Sequence, residues 1–225
     1  MVIGLFEVVI LTVISELTQC EFDYMLTLVA PEKKERINKF RSFKDMRNCL
    51  LGDVLTRTEI CRTTGLSNNE LKFSTNTYGK PFLTGSHQVH FNISHSDRYV
   101  ACVIADEPVG IDIESIKNAN LHISERFFTS DEKAYIMQDH QKHRFYEVWT
   151  KKESRMKWEG KGLYIPLSSF SVFETNVQNL IYYHKVYEND EVISHACSTK
   201  QKPPYIKIID TDSFICSIKD NSILY

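Results

Sequence analysis

The stretch Val109–Glu114, VGIDIE, alternates apolar residues with small or acidic ones. Successive side chains of a β-strand point to opposite faces, so the three apolar residues share one face while Gly110, Asp112 and Glu114 share the other. Two carboxylates about 7 Å apart on one face repel each other, and in a partly dry site their pKa values rise unless a cation lies between them. The stretch therefore predicts either an edge strand with a solvated acidic face or a cation site.

Length and composition set the class of protein. The 225 residues are enough for one sizeable domain or two packed lobes. With 42% hydrophobic and 25% charged residues, the composition is that of a globular protein without low-complexity tracts. The net charge of −2 gives no general signal for nucleic acid or an anionic membrane, so we expect neither partner and any basic site must be local.

The cysteines and the N-terminus indicate the compartment. The six cysteines lie far apart, with no C-x-x-C motif and no zinc-ligand spacing, which predicts reduced core thiols. The apolar run over residues 1–17 contains no Lys or Arg and is interrupted by Glu7, so it favours a buried first strand over a signal peptide or a membrane span. We therefore expect a cytoplasmic protein.

A coarse duplication runs along the chain. The stretches Pro31–Ile60 and Ser124–Trp158 both pass from charged, aromatic-punctuated segments into a long helical pattern. Strand-like runs follow each of them: residues 89–96 and 98–105 after the first, and 169–174, 179–187 and 204–211 after the second. We predict an α+β fold of two similar lobes related by a pseudo-twofold, residues 1–105 and 106–225, with the active site in the cleft between them.

The helical stretch Arg144–Gly162 adds a third carboxylate. Its apolar stripe places Lys152 and Glu153 on the inward face, and Glu153 lies one turn before Lys157. One interpretation is a buried Glu–Lys pair or snorkelling side chains. The other is that Glu153 joins the two carboxylates of VGIDIE, because three carboxylates with open positions for water and phosphate oxygens suit Mg²⁺.

Positive charge and a tight turn accompany these acids. Between Pro31 and Arg47 there are seven basic residues and three acidic ones, and this excess of positive charge indicates a solvated helix face or a phosphate clamp. The stretch YGKPFL, residues 78–83, predicts a tight turn. Either its backbone and Lys80 approach a ligand, or the turn has no binding role. In HFNISHS, residues 90–96, the hydroxyl of Ser94 next to His95 either binds phosphate or caps a turn. The basic residues are Lys33, Lys34, Arg36, Lys39, Arg41, Lys44 and Arg47.

Taken in order, the motifs GKP, FNISHS, GIDIE and WTKKESRMK resemble the 4′-phosphopantetheinyl transferases of the larger, monomeric, Sfp-like kind. The interval from Asp112 to Glu153 matches the family spacing of roughly forty residues between strand and helix motifs. The resemblance covers nearly the whole chain and fades after about Thr175. It implies transfer of the phosphopantetheine arm of coenzyme A to a serine of apo acyl or peptidyl carrier proteins, with release of adenosine 3′,5′-bisphosphate.

The resemblance also implies roles for single residues. Asp112, Glu114 and Glu153 would hold Mg²⁺, with Mn²⁺ as an alternative. Glu153 would be the base for the carrier serine, directly or through a bound water, and Lys157 would protonate the leaving group. The other matched positions would bind coenzyme A: Lys33 and Arg36 with Ser94 and His95 at the 3′-phosphate end, Gly79, Lys80 and Pro81 on the adenine side, and Lys152 and Lys157 on the pyrophosphate.

One position departs from the family pattern. Family members usually carry Arg two residues before LLG, where this chain has Asn48 and offers Arg47 instead. Either Arg47 reaches the phosphate from one position earlier or coenzyme A binds more weakly. The segment Arg126–Tyr135 matches the region that helps dock the carrier, so we expect a partly apolar surface there. Two rival functions stay open: an inactive coenzyme A-binding homologue and a metal-dependent phosphoesterase.

Overall fold

A computed structural model describes residues 4–85, 88–174, 179–187 and 191–220. The helices are α1 (Gln19–Thr27), α2 (Pro31–Asn38), α3 (Phe43–Thr64), α4 (Leu121–Phe127), α5 (Ser130–Ile136), α6 (Gln141–Glu159) and α7 (Thr211–Asp220). The strands are β1 (Phe6–Thr12), β2 (Phe73–Thr75), β3 (Pro81–Leu83), β4 (His90–Ser96), β5 (Tyr99–Ala105), β6 (Gly110–Ser115), β7 (Ile181–Tyr187), β8 (Val192–Ser198) and β9 (Tyr205–Asp210). The mixture of helix and sheet confirms the α+β class.

Two sheets repeat one topology. The first has the order β4-β5-β1-β9 and the second the order β6-β8-β7. In the first lobe the chain runs through β1, α3, β4 and β5, and in the second through β6, α6, β7 and β8, with antiparallel pairing in both. The order β4-β5-β1 therefore matches β7-β8-β6, as the sequence duplication predicted.

The lobe boundary differs from the prediction at the C-terminus. Strand β9 pairs in parallel with β1, in the register Val9 to Lys207, and so extends the first sheet. Helix α7 follows it and buries Phe214 and Ile218 in the core of the first lobe. Residues 205–220 thus pack with the first lobe, because β1 offers a free edge to β9 and the core of the first lobe receives the apolar face of α7. The division into residues 1–105 and 106–225 is wrong for this segment.

The core between the sheets fixes the position of β6. Alternate residues of β1 and β5, among them Ile10 and Ala101, pack against Val109, Ile111 and Ile113 in one buried cluster. The apolar face of VGIDIE therefore points into the interlobe core, as its alternation predicted. Its other face, which carries the two acids, is turned toward α6.

Several local predictions can be checked directly. The predicted first strand is confirmed as β1, and residues 179–187 and 204–211 contain β7 and β9. Residues 169–174 were predicted as a strand but form the end of a short 3-10 helix followed by a turn. Helix α6 ends at Glu159, earlier than predicted, because Gly160 adopts the left-handed conformation that closes the helix.

The structure bears on the predictions about the cysteines and about membrane-spanning helices. All six cysteines are free, and four of them are buried. Within the described ranges, none of the helices has the length and apolarity needed to cross a bilayer.

Candidate active site

Helix α6 lies directly against the acidic face of β6. A Cβ atom added at Gly110 would stand 2.0 Å from the carbonyl oxygen of Ser154 and 2.5 Å from the amide nitrogen of Trp158. Both atoms belong to the helix backbone, so only glycine permits this approach. The contact brings the helix residues Glu153 and Lys157 over the strand residues that follow Gly110.

Asp112 is the centre of this site. The residue is 3% exposed, and its Oδ1 accepts hydrogen bonds from Lys157 Nζ at 2.6 Å and from Ser94 Oγ at 2.8 Å. Among the described residues, its buried Oδ2 finds no hydrogen-bond partner. A buried carboxylate oxygen without a partner is costly in a purely structural site, so Asp112 is a candidate binding residue.

The other two carboxylates carry raised pKa values. Burial, together with the charge of Asp112, raises the pKa of Glu153 to about 7 against the opposing effect of Lys157. Burial and the same Asp112 charge also raise the pKa of Glu114, whose Oε2 accepts a hydrogen bond of 2.5 Å from Ser96 Oγ. The three acids predicted from sequence therefore interact electrostatically at the face between β6 and α6.

The site contains the carboxylate oxygens that Mg²⁺ prefers, but these oxygens do not converge on one point. Within the part of the chain that the structure describes, no three His, Cys, Asp or Glu side chains converge as metal ligands. The ammonium group of Lys157 lies against Asp112 Oδ1 instead. Asp112 Oδ2 is without a partner among the described residues, and burial together with the charge of Asp112 raises the pKa values of Glu153 and Glu114. Carboxylate oxygens are the ligands that a hard cation prefers.

Two of the predicted coenzyme A residues, Lys33 and Lys157, act electrostatically on a third, His95. The protein surrounding the His95 ring lowers its pKa, as do the charges of Lys157 and Lys33, while Asp45 opposes them. Lys33 on α2 pairs with Asp53 at 3.2 Å, and its side chain is 24% exposed. The positive charges of Lys33 on α2 and Lys157 on α6 thus both act on His95 of β4.

The remaining two residues at the predicted 3′-phosphate end occupy different environments. Arg36 is exposed on α2, one turn after Lys33. Ser94, in contrast, is buried beside the carboxylates, and Lys157 donates to its hydroxyl at 2.9 Å. Ser94 therefore lies on the carboxylate side of β4, whereas His95 faces the opposite side of the strand.

Arg47 does not occupy the predicted phosphate-binding position. Its side chain is 4% exposed, and its guanidinium group pairs with Glu16 at 2.8 Å and donates to the Asp97 carbonyl. The neighbouring Asn48 donates to the same carbonyl at 2.9 Å. Both residues therefore hold the turn between β4 and β5, and the expectation that Arg47 replaces the missing arginine is corrected by its ion pair with Glu16.

The GKP turn holds the end of α6. Gly79 has a φ of +88°, which supports the tight turn, and Pro81 begins β3. Lys80 Nζ donates to the carbonyls of Val109 at 3.1 Å and Trp158 at 3.3 Å, and burial lowers its pKa to about 8. The Lys80 ammonium is therefore held by the second lobe.

Lys152 is placed away from the site. Its side chain is fully buried, and its Nζ pairs with Glu132 at 2.8 Å and donates to the carbonyls of Leu167 and Phe170. A buried ammonium group with these partners has no route to a pyrophosphate. The prediction that Lys152 binds pyrophosphate oxygens is corrected: it links α6 to α5.

The predicted carrier-docking segment has a partly apolar surface. Phe127 at the end of α4 is 41% exposed, and Met137 after α5 is 64% exposed, whereas Phe128 is buried. Phe127 lies within residues 126–135 and Met137 lies two residues beyond them, so one large apolar side chain of the segment itself is exposed, and docking of a carrier there stays a prediction.

Sequence reasoning missed a row of hydrogen-bonding side chains beneath α6. His195 lies opposite Asp112 in the pairing of β8 with β6, and its Nδ1 lies 2.7 Å from Thr150 Oγ1. Its Nε2 lies 3.0 Å from His184 Nδ1 on β7. Burial lowers the pKa of His195 well below its usual value, so the ring is neutral. The alternation of VISHACS, residues 192–198, was the available signal.

Two family models match this chain. The family model described as the N-terminal part of 4′-phosphopantetheinyl transferase matches residues 16–108, and the model of the 4′-phosphopantetheinyl transferase superfamily matches residues 108–218. The chain belongs to the 4′-phosphopantetheinyl transferase family. The match continues well past Thr175, so the expectation that the resemblance fades there is wrong.

Curated relatives include bacterial and eukaryotic proteins. The 4′-phosphopantetheinyl transferase Sfp of Bacillus subtilis (strain 168) is 43% identical over 159 residues, 69% of this chain and 71% of the relative. The 4′-phosphopantetheinyl transferase gsp of Aneurinibacillus migulanus is 35% identical over 201 residues, 85% of this chain and 84% of the relative. The L-aminoadipate-semialdehyde dehydrogenase-phosphopantetheinyl transferase of Saccharomyces cerevisiae is 30% identical over 159 residues, 65% of this chain and 58% of the relative.

Proposed function

We propose that the protein transfers the 4′-phosphopantetheine arm of coenzyme A to a serine hydroxyl of apo acyl or peptidyl carrier proteins. The observation that carries this proposal is the arrangement of Asp112, Glu153 and Lys157 between β6 and α6, in a chain of this family. The serine oxygen attacks the phosphorus that bears the pantetheine. The bond from that phosphorus to the bridging oxygen breaks, and adenosine 3′,5′-bisphosphate leaves with the electron pair.

Glu153 and Lys157 are the candidate proton-transfer residues. With a pKa of about 7, the Glu153 carboxylate is able to accept the serine proton and to release it near neutral pH. Lys157 donates hydrogen bonds to Asp112 and Ser94, so its ammonium group is placed to donate to a leaving oxygen beside them. Its positive charge also stabilises the charge that develops on that oxygen.

Mg²⁺ is part of this proposal. Asp112, Glu114 and Glu153 would hold the ion, with Mn²⁺ as a substitute, because they offer hard oxygen donors and surplus negative charge. The ion would neutralise charge on the pyrophosphate and stabilise the departing phosphate.

The coenzyme A site would extend from α2 across β4 to the GKP turn. Lys33 and Arg36 would meet the 3′-phosphate with His95, while the backbone of Gly79, Lys80 and Pro81 would meet the adenine. The apolar surface around Phe127 and Met137 would receive the carrier. We further propose a monomer in the cytoplasm, where coenzyme A and reduced cysteines occur together.

A second candidate, a coenzyme A-binding homologue without turnover, is favoured by one observation. Asn48 and Arg47 both hold the β4–β5 turn, so neither supplies the arginine expected at the phosphate. The experiment combines binding and turnover: calorimetry measures coenzyme A affinity, and chromatography measures release of adenosine 3′,5′-bisphosphate with Mg²⁺ and an apo carrier. Release that requires the carrier supports the transferase. Tight binding without release supports the second candidate, and release without a carrier supports a phosphoesterase.

A further inference from the structure

Side chains of β4 join the two lobes along β6. At this seam, the amide groups of β6 donate to alternate side chains of β4 where a regular sheet would offer backbone carbonyls. The three bonds are Ile111 N to Asn92 Oδ1 at 3.0 Å, Ile113 N to Ser94 Oγ at 3.4 Å, and Ser115 N to Ser96 Oγ at 3.2 Å.

Two of these three side chains also touch the carboxylates. Ser94 Oγ donates to Asp112 Oδ1, and Ser96 Oγ donates to Glu114 Oε2 at 2.5 Å. A serine hydroxyl has a single proton to donate, so that of Ser96 is committed to Glu114. The third side chain, that of Asn92, lies two residues before Ser94 and close to Gly110. Because Gly110 has no side chain, Asn92 contacts no carboxylate of β6.

Glu114 is therefore held by Ser96 from the first lobe. Because Ser96 Oγ itself accepts a hydrogen bond from the backbone amide of Ser115, its hydroxyl has a fixed direction. The hydrogen bond from Ser96 fixes Glu114 Oε2 at the seam between the two lobes.

We propose that Ser96 is a positioning residue that orients Glu114 as a cation ligand and makes that orientation depend on the packing of the two lobes. This inference rests on the proposed function only in that the carboxylates bind a divalent ion. Residues that hold a metal ligand typically contribute 10- to 100-fold to affinity or activity. Removal of the Ser96 hydroxyl should therefore weaken ion binding without removing a ligand.

The test compares three variants of the full chain with the wild type. Ser96→Ala removes both hydrogen bonds, and Ser96→Thr keeps a hydroxyl. Asn92→Ala is the matched control, because it also leaves one β6 amide without its acceptor but contacts no carboxylate. Free Mn²⁺ is titrated by electron paramagnetic resonance with coenzyme A present, thermal unfolding checks the fold, and carrier modification is measured against Mg²⁺ concentration.

We expect Ser96→Ala to weaken Mn²⁺ binding about 10-fold or more. Saturating Mg²⁺ should then restore most of kcat, Ser96→Thr should bind nearly as the wild type does, and Asn92→Ala should change affinity less than about threefold. Mn²⁺ binding unchanged in Ser96→Ala, or weakened equally in Asn92→Ala, would overturn the inference. If the wild type binds Mn²⁺ but modifies no carrier, the proposed function is overturned and this inference stands. If the wild type binds no Mn²⁺, this inference is overturned.

Discussion

The Lys157 ammonium group lies 2.6 Å from the Asp112 carboxylate, across the contact between α6 and β6. One cation thus faces three acids, because Glu114 and Glu153 share the same space. Burial, and after it the charge of Asp112, raises the pKa values of both glutamates. Such an arrangement is unfavourable for folding, and it is useful where a divalent ion and a polyphosphate bind together.

Replacement of Asp112 by Asn tests the centre of the site. The substitution keeps the size of this buried side chain but removes the charge that faces Lys157, so we expect at least about a 100-fold loss of carrier modification with the fold retained. Asp106→Asn is the matched control, since Asp106 forms an ion pair with Lys200 outside the site. Similar losses in both variants would contradict the assignment.

Glu153 gives a pH-dependent stability prediction. Its pKa is about 7 in the folded protein and near 4.5 when unfolded, so between these values the folded state holds more protons and stability falls as pH rises. Glu153→Gln should therefore be more stable than the wild type at pH 8, by up to about 3 kcal/mol, with a smaller difference at pH 5. Unfolding in urea at both pH values measures the change.

Glu147 on the same helix supplies the opposite control. Its pKa is lowered, because hydrogen bonds from Lys151 and Tyr135 outweigh its burial. This stabilising contribution is present above the unfolded pKa and is lost as pH falls through the folded pKa. Glu147→Gln should accordingly lose stability at pH 8. A Glu153→Gln variant that behaves in the same way as Glu147→Gln would contradict the crowded-carboxylate account.

Lys33 tests the nucleotide end of the site. Its positive charge acts on the pKa of His95, and its side chain, which pairs with Asp53, is 24% exposed, so we expect Lys33→Met to weaken coenzyme A about 10-fold. The affinity for 3′-dephospho-coenzyme A should change much less. Calorimetry with both ligands measures the difference, and Lys34→Met, at the exposed next position, serves as the control. Equal losses for both ligands would exclude contact between Lys33 and the 3′-phosphate.

Gly110 tests the contact between helix and strand. A methyl group there would meet two backbone atoms of α6 below 3 Å, so Gly110→Ala must displace the helix that carries Glu153 and Lys157. We expect a loss of several kcal/mol of stability, by analogy with overpacked cores, and loss of activity. Gly52→Ala meets the Ile93 Cγ2 atom at 3.0 Å and is the milder control. Thermal unfolding that ranks Gly52→Ala as the more damaging change would contradict the structure.

Local periodicity predicted the parts of the site that lie on single elements. The alternation of VGIDIE placed its apolar face in the core and its acids on the other face, as the structure has them. Helix periodicity also contained the information that separates the two lysines. Lys157 follows Glu153 by four residues and shares its face, whereas Lys152 lies about 140° around the axis from Lys157 and enters the second core with Glu132.

Long-range pairing was beyond the sequence pattern. Strand β9 joins β1 across nearly the whole chain, and nothing local to residues 205–210 selects that edge. The seam between β4 and β6 was missed for the same reason, because NISHS does not reveal which strand its polar face meets. Arg47 was misassigned because its partners, Glu16 and Asp97, are distant in sequence.

The most direct test of the account is the intact mass of an apo carrier protein after incubation with the purified protein, coenzyme A and Mg²⁺. The account predicts a gain of one phosphopantetheine per carrier that disappears with EDTA, with Asp112→Asn, and with a carrier whose acceptor serine is replaced by alanine. A carrier of unchanged mass, for acyl and peptidyl carriers alike and with coenzyme A bound, would contradict it.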